Sequence, residues 1–178
     1  MRAVLDTCVI FPPVLRDMLL GVAAQGVFVP LWSERILEEW ARAARRHGSE
    51  DEARAVGAAM RAQFASATVP PRPGLEARLH LPDENDIHVL ATAIAGSADV
   101  IVTFNAQDFP RHILAAEGVE RRDPDSLLWE MWSHHPAPVA EVAQRVHRRA
   151  EEIAGQPVSL RALLKRAGLP RVAKAVTA

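Results

Sequence analysis

The stretch LPDENDIHVLATAIAGSADVIVTFNAQDFP, residues 81–110, contains the pattern that decides the fold. Its first part predicts a helix over Asp83–Ala95, which begins at an acidic residue and ends before Gly96. The apolar run Val100–Thr103 then has the length and composition of a buried strand. A helix followed closely by a buried strand is typical of a protein built around a parallel sheet.

The same alternation extends over the first two-thirds of the chain. The apolar runs Ala3–Leu5 and Val9–Phe11 surround Asp6, which is the pattern of a buried strand with an acid at its carboxyl end. A second short strand is predicted at 27–29, and further helices are predicted at 14–25, 34–46, 51–65 and 110–117. We therefore predict an α/β fold over residues 1–125, in which helices cover both faces of a central parallel sheet to form an α/β/α sandwich.

Strand signals stop after residue 125. The remaining sequence predicts helices at 127–134, 138–154, 159–167 and 170–176. We therefore predict two domains, residues 1–125 and an all-helical C-terminal extension at 126–178.

Composition restricts the classes of protein to which the chain can belong. Its 178 residues are 49% hydrophobic, enough to bury a core, and the net charge of −1 argues against a globally basic nucleic-acid binder. The single cysteine, Cys8, excludes an intramolecular disulfide and a CxxC zinc site. No signal peptide and no apolar stretch long enough for a membrane span is evident, so we expect a cytoplasmic protein.

Acidic and amide side chains recur at strand ends and on helices in four separate segments. They are Asp6; Glu38 and Glu39; Asp83 and Asp86; and Asn105 and Asp108. Carboxylates repel one another, so a fold that gathers them usually contains a hard divalent cation. Ligands of parallel sheets bind beyond the carboxyl ends of the strands, where two of these segments fall. The pattern therefore predicts a phosphoryl-transfer site that uses Mg²⁺ or Mn²⁺.

Each of these residues also has an ordinary structural explanation. Asp83 can cap a helix and Asp86 can lie in its first turn. Glu38 and Glu39 flank the apolar stripe of their helix at similar angles, so periodicity does not choose between them. Asn105 and Asp108 are residue types that commonly form loops. Only the joint pattern is specific.

Three segments carry a resemblance to a known family. VLDTCVIFPPVLRDMLL, WSERILEEW and the stretch at 81–110 resemble the PIN-domain nucleases, in particular the VapC-type toxins of bacterial toxin–antitoxin systems. The C-terminal helices, with PVSLRALLKRAGLP, resemble a helical tail found in one branch of these proteins. The resemblance implies a PIN-like sandwich and a metal-dependent endonuclease that cuts single-stranded RNA.

The resemblance also implies roles for individual residues. It places the catalytic acids at Asp6, Glu39, Asp86 and Asp108, and the metal ligands at Asp6, Asp86 and Asp108. The implied supporting residues are Thr7, Asp83, Thr103 and Asn105. Two departures stand out, because Cys8 replaces the usual asparagine of the family and Asn105 replaces what is often an acid. Asn105 keeps an oxygen ligand but lacks a charge, which should weaken the binding of a second metal ion.

Binding of RNA around acidic residues requires local positive charge. The candidates for phosphate contacts are Arg16, Arg42, Arg45 and Arg46 on the early helices, with a later group at Arg145, Arg148 and Arg149. The resemblance further implies a cognate antitoxin protein as partner, and a homodimer is an expectation because related proteins often form one. Two alternatives stay open: a housekeeping RNA-processing or flap-type nuclease, and a PIN fold that binds RNA or protein without cutting.

Overall fold

The computed structural model describes residues 1–178, which form two compact units. The first unit contains Met1–Phe11 and Val29–Arg122, and the second contains Pro12–Phe28 and Asp123–Ala178. Residues 12–28 thus group with the C-terminal helices, although they lie near the start of the chain. The predicted division into domains at residue 125 concerns independent folding and stays a prediction.

The first unit is built on a parallel sheet. Its four strands are β1 (Arg2–Leu5), β2 (Val29–Leu31), β3 (Val100–Val102) and β4 (Glu120–Arg122), in the order β2-β1-β3-β4. The helices of this unit are α1 (Thr7–Ile10), α3 (Glu34–Arg45), α4 (Glu50–Gln63), α5 (Ile87–Ala95) and α6 (Arg111–Ala116). Helix α5 packs on β1 and β3, and α3 packs on α1 and α4.

The second unit is entirely helical. It contains α2 (Pro13–Ala24), α7 (Pro124–His134), α8 (Pro136–Ala154), α9 (Leu160–Arg166) and α10 (Pro170–Val176). Helix α2 packs against α8, and α10 packs against α7 and α9. The predicted α/β/α architecture with a C-terminal helical part is confirmed.

Side-chain caps explain where several helices begin. Ser33 accepts a hydrogen bond from the backbone N–H of Ile36 at 3.2 Å and thereby starts α3. Asp123 accepts from the N–H of Ser126 at 2.9 Å and starts α7. Proline at the first position of α2 fits the sequence PP at 12–13, since proline lacks the N–H that would be unpaired there.

Three local predictions differ from the structure. The apolar run Val9–Phe11 does not extend a strand, because Asp6 caps the short helix α1 immediately after β1. Strand β2 begins at Val29, two residues later than predicted. Strand β4 was absent from the prediction because its sequence, Glu-Arg-Arg, has no apolar run; charged residues are tolerated there at the edge of the sheet. No helix in the chain combines the length and the apolar content needed to cross a membrane.

Candidate metal centre

The candidate site lies at the carboxyl ends of the two central strands. Leu5 of β1 pairs with Val102 of β3, so the residues that follow, Asp6 and Thr103, are neighbours. The chain leaves β1 toward β2 on one side and later returns to β3 on the other side. Such a reversal in strand order opens a crevice at the carboxyl edge of a parallel sheet, where ligands bind.

Asp6 is buried, with 7% of its surface exposed, and its carboxylate is held from several directions. The Thr103 hydroxyl donates to Asp6 Oδ2 at 2.7 Å, and the Thr7 N–H donates to Oδ1 at 2.7 Å. The Cys8 thiol donates to Oδ2 at 3.2 Å. The carboxylate therefore has a defined orientation. The Thr7 hydroxyl instead donates weakly to the carbonyl of Ile36, at 3.4 Å.

Three other aspartates form the tightest acidic group in the molecule. Carboxylate oxygens of Asp83, Asp86 and Asp108 all lie within 4.8 Å of one another, close enough to hold one metal ion. Asp83 caps the 3₁₀ turn Glu84–Asp86 by accepting from the N–H of Asn85 at 2.9 Å. Asp83, predicted only as a supporting residue, thus belongs to this group, whereas Asp6 does not.

Asn105 connects two members of this group. Its amide nitrogen donates to Asp108 Oδ2 at 2.5 Å and to Asp86 Oδ2 at 3.3 Å. The nitrogen, rather than the predicted oxygen ligand, therefore faces the acids. Ligation by the oxygen requires rotation of the amide group, and that role stays a prediction.

The charge of the acidic group is not neutralised by the protein. Burial, and after it the charges of Asp6, Asp83 and Asp108, raise the pKa of Asp86 to about 6. No arginine or lysine forms an ion pair with any of these four aspartates. Oxygen ligands with uncompensated negative charge are the donor set that suits Mg²⁺ or Mn²⁺, so the residues present fit such an ion.

Glu39 lies in a different environment from the four aspartates. Its Oε2 lies 3.0 Å from Nε2 of His88, and its Oε1 accepts from Arg35 at 3.2 Å. Burial raises the pKa of Glu39, but these two contacts outweigh it and hold the pKa below its usual range. Glu39 thus contacts α5 at His88, two residues after Asp86.

Of the two adjacent glutamates, Glu39 is the one that contacts α5, through His88. Glu38 instead accepts hydrogen bonds from Arg54 at 2.8 Å and from Arg42 at 3.0 Å. These arginines, Arg54 first, lower the pKa of Glu38 to about 2. Glu38 therefore belongs to an ion-pair network on α3 and α4, and the catalytic role of Glu39 stays a prediction.

The four arginines predicted to bind RNA differ in availability. Arg16 is buried, with 8% of its surface exposed, and its role in RNA binding stays a prediction. Arg42 and Arg45 are exposed but paired with Glu38 and Glu50. Arg46 is exposed. Phosphate contacts by the three exposed arginines stay predictions.

Cys8 is not suited to act as a nucleophile. Burial, followed by the charge of Asp6, raises the pKa of the Cys8 thiol to about 12. Since only the thiolate is reactive, the thiol is inert at neutral pH. Its sulfur contacts Thr103 Oγ1 at 3.3 Å and accepts from the Phe104 N–H at 3.4 Å, so Cys8 helps to order the loop beside Asp6.

Clustered carboxylates beyond the carboxyl ends of parallel strands are typical of enzymes that bind divalent metal ions. A family model described as PIN domain matches residues 2–107. The match covers more than half of the chain, which therefore belongs to the PIN-domain family, whose members are generally metal-dependent nucleases. It contains Asp6, Glu39 and Asp86 and ends one residue before Asp108. No curated protein and no solved structure matches the chain.

Sequence reasoning did not find the partners of Glu39. The spacing of Arg35 and Glu39 by four residues on one helix could have suggested their ion pair. The contact of Glu39 with His88 had no such signal, because it joins residues 49 positions apart on different helices.

Replacing Thr103 with valine is expected to destabilise the protein by about 1–3 kcal/mol. Valine keeps the shape but removes the hydroxyl that donates to Asp6 and accepts from the N–H of Asn105 at 2.9 Å. Urea unfolding in EDTA measures this loss, and Thr103→Ser is the matched control that should restore most of it. Equal stabilities of the valine variant and the natural protein would contradict the proposed orientation of Asp6.

Proposed function

We propose that this protein is a metal-dependent endoribonuclease of the cytoplasm and the toxin of a type II toxin–antitoxin pair. The observation that carries the nuclease part is the group of Asp83, Asp86 and Asp108, whose oxygens lie within 4.8 Å of one another without a neutralising arginine or lysine. Membership of the PIN-domain family supports the same class of chemistry.

The acidic group, together with Asp6, would hold one or two Mg²⁺ or Mn²⁺ ions. A bound ion of this kind lowers the pKa of water for attack on a phosphodiester and stabilises the charge that develops. The protein's own contribution is to hold the ligands in place. Thr103 orients the carboxylate of Asp6, and Asn105 holds Asp86 and Asp108 together. Arg35 and His88 hold Glu39 beside the start of α5.

The toxin role is supported by the uncompensated charge of the site. An antitoxin that places an arginine or lysine against Asp86 and its neighbours would offset the burial and the repulsion that together raise the pKa of Asp86. A homodimer is compatible with this proposal. A housekeeping RNA-processing nuclease is the alternative within the same chemistry, and it differs in the breadth of its substrates.

Cleavage of total bacterial RNA by the purified chain tests the nuclease part. We expect cutting with Mn²⁺ or Mg²⁺, none with EDTA, and none by Asp86→Asn with either ion. Mapping of the fragment ends then identifies the RNA. The proposal is contradicted if folded, antitoxin-free protein cuts nothing, or if the Asp86→Asn variant cuts as well as the natural protein.

A further inference from the structure

A cavity of about 740 Å³ lies in the first unit, between the start of α3, residues 68–76 and α5. Its volume is within the range of pockets that bind small organic molecules, about 300–1,000 Å³. The segment Thr68–Pro71 supplies a threonine, a valine and two prolines, and α5 supplies Ala91 and Ala95. Most of the lining surface is apolar and, because of the prolines, stiff, but Glu34 and Glu76 also line the cavity.

One buried polar side chain in this lining has a ring nitrogen without a partner. His88 is 3% exposed, and its Nδ1 has no hydrogen-bond partner. Nε2 lies at ion-pair distance from Glu39, 3.0 Å, but is not oriented for a hydrogen bond. A buried polar atom left unpaired is unfavourable, so Nδ1 of His88 is an atom that a ligand in the cavity could satisfy.

The cavity is also lined by an arginine that has no ion pair. Arg72 lines it, is exposed, and has no ion pair or side-chain hydrogen bond. Arg35, by contrast, is paired with Glu39 and Glu76. An unpaired arginine beside an apolar cavity suits a ligand that has both a flat apolar part and a negative charge.

The position of the cavity relates it to the acidic group. His88 follows Asp86 by two residues at the beginning of α5, and Asp86 occupies the N-cap position of this helix without a side-chain cap hydrogen bond. Helix α5 therefore contributes to both features, since His88, Ala91 and Ala95 line the cavity and Asp86 lies just before the helix. A single RNA strand whose phosphate reaches the acids has a neighbouring nucleotide close to His88.

We propose that this cavity, lined by Pro70, Pro71, Ala91 and His88, binds one nucleobase of single-stranded RNA next to the scissile bond and sets the base preference of cleavage. The inference rests on the proposed nuclease function and names one contact between the protein and its RNA substrate. The apolar walls accept the faces of the base, His88 pairs with its edge, and Arg72 binds a phosphate.

Binding of short homopolymeric RNAs tests the proposal in an Asp86→Asn background, in which RNA is not cut and one repelling charge is absent. Ala95→Phe fills the cavity from a half-buried position, and Ala115→Phe on α6 is an exposed control. We expect the background protein to bind the best of the four homopolymers at least about 10-fold more tightly than the worst. Ala95→Phe should abolish this preference, and Ala115→Phe should preserve it.

A second pair of variants keeps the test valid if the Ala95→Phe protein misfolds. Arg72→Ala should weaken binding of all four RNAs several-fold and reduce the salt dependence of affinity, whereas Arg111→Ala, an exposed arginine on α6, should not. Unchanged affinity in Arg72→Ala, or an unchanged preference in folded Ala95→Phe, would overturn the proposal. A mononucleotide that binds as tightly as the RNA would assign the cavity to a free nucleotide and also overturn it.

The outcome is separable from the nuclease proposal. If the cavity discriminates between RNAs but the natural protein cuts none with Mn²⁺ or Mg²⁺, the cavity stands and the nuclease function fails. If the protein cuts RNA and the mapped ends show the same bases with and without Ala95→Phe, the nuclease function stands and the cavity proposal fails. The cavity proposal is likewise contradicted if a bound protein, and not RNA, occupies the cavity.

Discussion

Asp86→Asn is expected to abolish RNA cleavage and, without metal, to make the protein more stable. At pH 7 the charge of Asp86 is unfavourable in the folded state, since burial and three neighbouring aspartates raise its pKa to about 6, above the ordinary value of 3.8. Removing that charge should stabilise the fold by about 1 kcal/mol, after allowance for solvent screening of a half-buried group. Asparagine keeps an oxygen that can accept from Asn105.

The pH dependence of this gain has a definite sign. Below about pH 4, Asp86 is protonated in both the folded and the unfolded chain, so the variant should gain nothing there. The gain should grow between about pH 4 and pH 6, where only the unfolded chain loses its proton, and should be constant at higher pH. Urea unfolding in EDTA at several pH values measures it.

Addition of metal should make the natural protein more stable than the Asp86→Asn variant. A divalent ion that binds only the folded state adds about 2.7 kcal/mol when its concentration is 100 times the dissociation constant. The natural protein should gain this stabilisation, and Asp86→Asn should lose most of it. Asp125→Asn is the matched control, because its buried carboxylate is satisfied by backbone N–H groups and its loss should destabilise the fold at neutral pH with and without metal. If Asp86→Asn were less stable than the natural protein in EDTA, the charge of Asp86 would stabilise the fold, which would contradict this prediction.

Asp125→Ala is expected to have the largest effect on stability, a loss of about 2–4 kcal/mol. Asp125 is 5% exposed and accepts from the N–H of Arg171 at 2.9 Å and from the N–H of Val172 at 3.0 Å. These two groups belong to the first turn of α10 and have no other acceptor within that helix. Alanine would remove the acceptor that these N–H groups share, so α10 should detach first.

Urea unfolding measures the size of the effect, and amide hydrogen exchange shows where it acts. We expect the amides of α10 to lose protection at urea concentrations that leave the sheet intact. The matched control is Asp123→Ala, an acid two positions away that caps α7 from a more exposed position and should cost only about 1 kcal/mol. Equal losses in the two variants would contradict the role assigned to Asp125.

Much of the site could be predicted from the sequence because its parts are local. Asp6 follows β1 directly, and residues 105–108 follow β3, so an alternation of apolar runs and helices was enough to place both at one edge of a sheet. The roles of individual acids could not be predicted in the same way. Asp83 enters the acidic group only because the 3₁₀ turn at 84–86 aims it toward Asp108, and no periodicity encodes that direction.

The sequence by itself determined the class of fold, the position of the acids along the chain and the family, since these depend on short-range patterns of burial and turn chemistry. The tertiary structure decided which side chains meet. It separated Glu38 from Glu39 through Arg54 and His88, buried Arg16, and made a cavity from three separate segments of the chain. Contacts between distant segments depend on how whole elements pack, and a linear pattern contains no record of that packing.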